Sequence, residues 1–254
     1  MKLFRLFLLV SLLAACASQG GGSAGTPQDD TTHAQKVARI HTELAGMYYD
    51  RSQYGVALQE VAVALKADSS FPQAYNVRAL VRMALHEDDK ADEDFQHSLR
   101  LDGTNSETHN NYGWFLCQRG HMKESFKQFQ DALDNPLYAT PEMAYLNLGL
   151  CSRKAGMMKD AESNLQRALT LRPDMPNALY GLADLNYGKG DFAAAKSYFN
   201  RFSQGTPELN AEQLWLGVRI ARKVRDYDSE ASYALQLRKN YPDSREAQLM
   251  SQGQ

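Results

Sequence analysis

Small and bulky apolar positions recur along this chain in one fixed spacing, repeated six times. A small residue stands at Ala45, Ala79, Gly113, Gly149, Ala183 and Gly217, with steps of 34, 34, 36, 34 and 34. Twelve positions later comes a second small or short residue, Ala57, Ala91, Ser125, Ala161, Ala195 and Ser229, and four after that a bulky one, Val61, Phe95, Phe129, Leu165, Phe199 and Tyr233. Two helices approach closely only where side chains are small, and a bulky side chain one turn on fills the space beside the contact. Each block therefore predicts a pair of antiparallel helices. Leu44, Tyr112, Leu148, Leu182 and Leu216 sit just before the first small residue and extend the apolar face of the first helix, while repeat 2 breaks the pattern with Arg78.

The connections agree with this reading. Gly120, Gly156 and Gly190 fall at one register between the two helices of repeats 3 to 5, where a glycine can take positive φ without steric cost. The pairs Asp68-Ser69, Asp102-Gly103, Arg172-Pro173 and Tyr241-Pro242 are helix stops that close units. The single step of 36 falls on the segment from Asp134 to Pro141, so two extra residues lengthen one surface loop and the register then resumes. A period of about 34 with this arrangement of small and large residues is the tetratricopeptide pattern. The expected fold is all-α, a superhelical solenoid of six helix-turn-helix repeats spanning residues 31–254.

Residues 1–15 read differently. A short basic start, Met-Lys-Leu-Phe-Arg, leads into an apolar stretch from Leu6 to Leu13 and then Leu13-Ala14-Ala15-Cys16. This is the build of a secretory signal, and it is shorter than the roughly 20 apolar residues that span a bilayer. Leu-Ala-Ala-Cys resembles the bacterial lipobox, which implies cleavage before Cys16 and acylation of that residue. Acyl chains on one cysteine exceed what stable anchoring needs. Ala17 follows, where aspartate would imply retention in the inner membrane, so the resemblance implies the periplasmic face of the outer membrane. Residues 16–30 form the lipidated cysteine and a Gly, Ser and Gln-rich tether.

Charge and chemistry narrow the function by exclusion. The formal charge of -2 becomes -4 once Lys2 and Arg5 leave with the signal, and no clustered basic face points to nucleic acid. Besides Cys16 there are only Cys117 and Cys151, on the first helices of repeats 3 and 4. Their registers differ by two residues, roughly 200° around a helix, which favours buried small hydrophobes over a bridge, although the periplasm permits one. No zinc-helix, nucleophile-elbow or phosphate-loop motif is present, so neither an enzyme nor a metal or other cofactor is expected. The acidic run around His86, Glu87, Asp88, Asp89, Asp92, Glu93, Asp94 and His97 reads as a solvated second helix.

A repeat array offers its first helices along a concave surface. Inward positions lie three before, one after and four after the small landmark, which places Thr42, Gly46, Tyr49, Asn76, Leu80, Met83, Asn110, Trp114 and Cys117 there in repeats 1 to 3. Tyr49, Asn76, Leu80, Met83, Asn110 and Trp114 are the expected partner-binding groove. Thr42 and Gly46 stand where co-chaperones that clamp a C-terminal carboxylate carry lysine and asparagine, so that clamp is not expected.

The run Asn110-Asn111-Tyr112-Gly113-Trp114-Phe115-Leu116-Cys117, then Leu146-Asn147-Leu148-Gly149-Leu150 and the stretch from Tyr233 to Pro242, resembles the PilF and PilW family of type IV pilus biogenesis lipoproteins. The likeness runs from lipobox through six repeats, including the longer loop after repeat 3. It implies a non-catalytic outer-membrane pilotin whose partner is the pilus secretin, helped to reach the membrane, assemble or remain stable. The rival expectation is a lipoprotein adaptor for cell-wall enzymes or for outer-membrane barrel assembly.

Overall fold

A computed structural model describes residues 32–253. The signal, Cys16 and the tether lie outside the described residues.

Six helix pairs follow one another as the spacing requires. They are α1 (His33–Asp50) with α2 (Tyr54–Ala67), α3 (Pro72–Ala84) with α4 (Asp88–Leu101), and α5 (Ser106–Gln118) with α6 (Met122–Leu133). The chain continues through α7 (Pro141–Lys154) with α8 (Met158–Leu171), α9 (Pro176–Lys189) with α10 (Phe192–Gln204), and α11 (Ala211–Lys223) with α12 (Tyr227–Asn240). A thirteenth helix, α13 (Arg245–Ser251), was not expected from the repeat pattern. It caps the last pair: Ala247 is buried, Leu249 and Met250 pack against the core, and the Ser244 hydroxyl accepts from the Ala247 amide at 3.1 Å. A solenoid needs such an end, since its last repeat otherwise leaves an apolar face wet.

The small landmarks do what their size implies. A Cβ added at Gly113 would lie 2.9 Å from Phe129 atoms, and one at Gly149 would lie 2.8 Å from Leu165. At Gly217 the nearest atom belongs to Phe199 of the preceding repeat, at 2.8 Å, so the bulky residue plugs the next pair as well as its own. Phe95, Phe129, Leu165 and Phe199 are all but inaccessible to solvent.

The turns also follow the expected register. Gly120, Gly156 and Gly190 have φ of 85°, 78° and 82°. Repeats 1, 2 and 6 make the same left-handed turn without glycine, through Ser52, His86 and Arg225.

Repeat 2 deviates at Arg78, and the structure shows how. Its guanidinium donates from Nε and Nη2 to the two Asp94 carboxylate oxygens at 2.8 and 2.6 Å, and Arg82 adds a third bond at 2.7 Å. Asp94 is 3% exposed. It is therefore a buried counter-ion and not part of a solvated acidic face, which corrects the reading of that run at this position. An ion pair between α3 and α4 replaces the apolar contact that leucine or tyrosine makes in the other repeats.

Candidate functional site

The first helices α1, α3, α5 and α7 line two adjoining clefts of about 400 and 680 Å³. Gln73 and Glu107 line both, so the clefts form one trough. Thr42, Gly46 and Asn76 stand on its repeat 1–2 half, with Arg39 and Glu43 beside them. Asn110, Asn111 and Met143 line the other half. Gly46 keeps the floor open, because a Cβ there would meet nothing within 4 Å. The Gln73 Oε1 atom is buried with no hydrogen-bond partner.

The floor carries a ladder of amides. Asn111 Nδ2 donates to Asn76 Oδ1 at 3.3 Å across α3 and α5, and Asn147 Nδ2 donates to Asn110 Oδ1 at 3.0 Å across α5 and α7. A 3.4 Å bond from Asn110 to Asn111 joins the two. The asparagine run in repeat 3 thus ties three consecutive first helices together. Side-chain amides both donate and accept, and so match the peptide groups of an extended segment.

The longer loop supplies a wall. Asn135 Nδ2 donates to Ser106 Oγ at 3.0 Å, and Asn135 Oδ1 accepts from the Leu137 amide at 2.9 Å. This turn projects Leu137 into solvent beside the half-buried Tyr138, whose phenol pKa burial raises. The two extra residues of the 36-residue step therefore build part of the cleft.

The expected groove residues divide into two groups. Asn76 and Asn110 are buried in the trough floor within the ladder. Leu80 and Met83 are half-buried against Phe95, Tyr112 and Phe115, and Trp114 against Cys117, Phe129 and Cys151. Tyr49 stacks at a tilt on Tyr54, with centroids 6.0 Å apart. These four line neither cleft.

A second surface escaped the sequence reading. Ile40 and Met47 are 51% and 56% exposed on α1, and Val56 and Val63 are exposed on α2. The residues at the Met47 register in repeats 2 to 5 are Val81, Phe115, Cys151 and Leu185, all at most 5% exposed. They are buried because a preceding repeat covers them. Repeat 1 has none among the described residues, yet keeps the apolar side chains. The missed signal was a core register continuing to the chain's first repeat.

Cys117 and Cys151 are joined in a disulfide, with Cα atoms 6.0 Å apart. This corrects the expectation of two separate buried thiols. First helices of successive repeats run side by side, so residues that face each other must project from opposite sides of their helices. A two-residue offset, roughly 200°, is what facing requires. Beside the bridge, Lys154 Nζ donates to the carbonyls of Cys117 and Gln118 at 3.1 Å, clasping the end of α5.

His109 is buried with its ring nitrogens 2.6 Å from Gln128 Oε1 and 3.1 Å from the Gly103 carbonyl, a structural role. Among the described residues no cluster of His, Cys, Asp or Glu is placed to hold a metal ion, and no helix is long and apolar enough to cross a membrane.

Known proteins share this arrangement. Residues 152–212 match the tetratricopeptide repeat family model. The chain is 30% identical over 242 residues to the type IV pilus assembly protein PilF of Pseudomonas aeruginosa strain PAO1, covering 95% of this chain and 94% of that one. The crystal structure of PilW, described as a widely conserved type IV pilus biogenesis factor, superposes with a TM-score of 0.76 at 36% identity, over 85% of this chain and 98% of PilW. The solved P. aeruginosa PilF gives a TM-score of 0.81 at 30% identity, over 88% of this chain and 100% of that one.

Proposed function

Because the chain belongs to the PilF and PilW family of type IV pilus biogenesis proteins, we propose that it is an outer-membrane lipoprotein acting as a pilotin for the pilus secretin. Acylated Cys16 anchors it at the periplasmic face, and the repeats bind a secretin segment during delivery, assembly or stabilisation of the ring. The observation that carries this reading is the amide-floored trough of repeats 1 to 4, which offers main-chain partners to an extended protein segment.

Location and binding act together. The fourteen residues from Ala17 to Asp30 can span at most about 48 Å. Holding subunits in that thin layer raises their effective concentration for ring assembly. The apolar end at Ile40 and Met47 adds surface for a partner, since apolar patches of this kind mark interaction sites.

Deletion of the protein should reduce secretin rings and surface pili while leaving pilin synthesis intact. Complementation with Gly46→Trp, which fills the cleft from a position whose Cβ would meet nothing within 4 Å, should fail to restore rings although the protein melts normally. Charged substitutions at Leu80, Met83 and Trp114, which pack against buried clusters and line neither cleft, should unfold a repeat rather than block the trough. Cys16→Ser should remove the protein from the outer membrane. A normal ring count in the deletion strain would sink the pilotin role and favour the adaptor for cell-wall enzymes or barrel assembly.

A further inference from the structure

Repeat 6 breaks the apolar pattern as repeat 2 does, but without an internal answer. Where repeats 2 to 5 carry buried Val81, Phe115, Cys151 and Leu185, repeat 6 places Arg219. Arg78 in repeat 2 is matched by Asp94. Arg219 makes no ion pair or hydrogen bond among the described residues, and its Nε atom is buried without a partner. Its guanidinium carbon lies 4.7 Å from the Tyr187 ring centroid and 5.8 Å from that of Trp215. One turn on, Lys223 Nζ lies 5.8 Å from the Phe192 centroid, also without a carboxylate. Their neighbours are paired: Arg222 with Glu230 and Lys196 with Asp226.

We propose that Arg219 and Lys223 form an anion site for the carboxylates of an acidic protein segment. Aromatic rings hold both cations in place while leaving their charge unneutralised, at less cost than burying them among aliphatic groups. A guanidinium fork so held can meet a carboxylate with two parallel hydrogen bonds, and a lysine one helical turn away can take the next acid. Flanking aromatic surface suits the side chains of a polypeptide better than a bare phosphate. The site lies on the last two repeats, away from the trough of repeats 1 to 4, and does not depend on which protein occupies that trough.

The test is calorimetric titration of the full chain in detergent micelles with N-acetylated hexaglutamate amide. Saturable binding that weakens as salt rises is expected, with none for hexaglutamine amide. Arg219→Met should weaken it at least about tenfold and Lys223→Met about threefold. Should Arg219→Met alter melting, Arg219→Lys serves instead, since it keeps the charge and loses the fork; an intermediate loss is expected. Absence of hexaglutamate binding, or binding indifferent to Arg219 and Lys223, overturns the proposal. So does Arg219-dependent binding of inorganic phosphate or phosphatidylglycerol vesicles with no response to the peptide, which would assign the site to a phosphate.

Discussion

Reducing the bridge between Cys117 and Cys151 should lower stability by several kcal/mol without changing the fold. The two cysteines are 34 residues apart, and the closed loop contains α6 and the long connection from Asp134 to Pro141. In the chain-closure account a loop of this length removes roughly 13 cal/mol/K from the unfolded ensemble, or about 3.8 kcal/mol at 25 °C. For a domain of this size each kcal/mol moves the melting temperature by about 2–4 °C, so reduction should lower it by about 8–15 °C. Reduction adds only two hydrogens, and leaves the thiols against Trp114, Phe129 and Leu148. Helicity by circular dichroism should therefore be unchanged well below the transition. The assay is urea unfolding with and without reductant, with Cys117→Ala/Cys151→Ala as a control that ignores reductant. Oxidised and reduced protein unfolding within about 1 kcal/mol of one another would refute the entropic argument, because the loop length alone demands more.

Other consequences follow from particular contacts. Gly113→Ala should destabilise by about 1–3 kcal/mol because its Cβ meets the buried Phe129 ring at 2.9 Å, whereas Gly46→Ala, over open space, should stabilise by about 0.5–1 kcal/mol; paired thermal melts compare them. Asp94→Ala should cost about 3 kcal/mol by stranding Arg78 and Arg82, while replacing all three groups, Arg78→Leu, Arg82→Leu and Asp94→Leu together, should recover most of that loss in denaturant titrations. Burial, aided by a hydrogen bond to Asp92, pushes the Tyr112 phenol pKa up to about 12. The folded state then holds this proton after the unfolded chain has lost it, so the contribution is present below pH 10 and is lost as pH rises toward 12. Urea midpoints taken from pH 9 to 12 should fall less steeply in Tyr112→Phe.

The repeat number, the helix pairing and the long loop were legible in the sequence because they follow from side-chain volume at fixed spacing. Ala45 through Gly217 have to be small wherever two helices touch, whatever the neighbouring repeats do. The left-handed turns were legible at Gly120, Gly156 and Gly190, but not at Ser52, His86 and Arg225, where the backbone requirement is the same and the residue does not announce it. What sequence left open was set by contacts between repeats. Cys117 and Cys151 meet because adjacent first helices present opposite faces, a relation that exists only once the helices lie side by side. Asn76, Asn110, Asn111 and Asn147 look like independent polar positions until the superhelix aligns them. Arg78 stands where an apolar residue was expected and Arg219 at a register that is buried and apolar in repeats 2 to 5, and only the tertiary structure shows that one faces a buried carboxylate and the other does not. Periodicity fixes what each repeat must bury against itself. The partner of every remaining side chain depends on the rotation from one repeat to the next, which no single repeat contains.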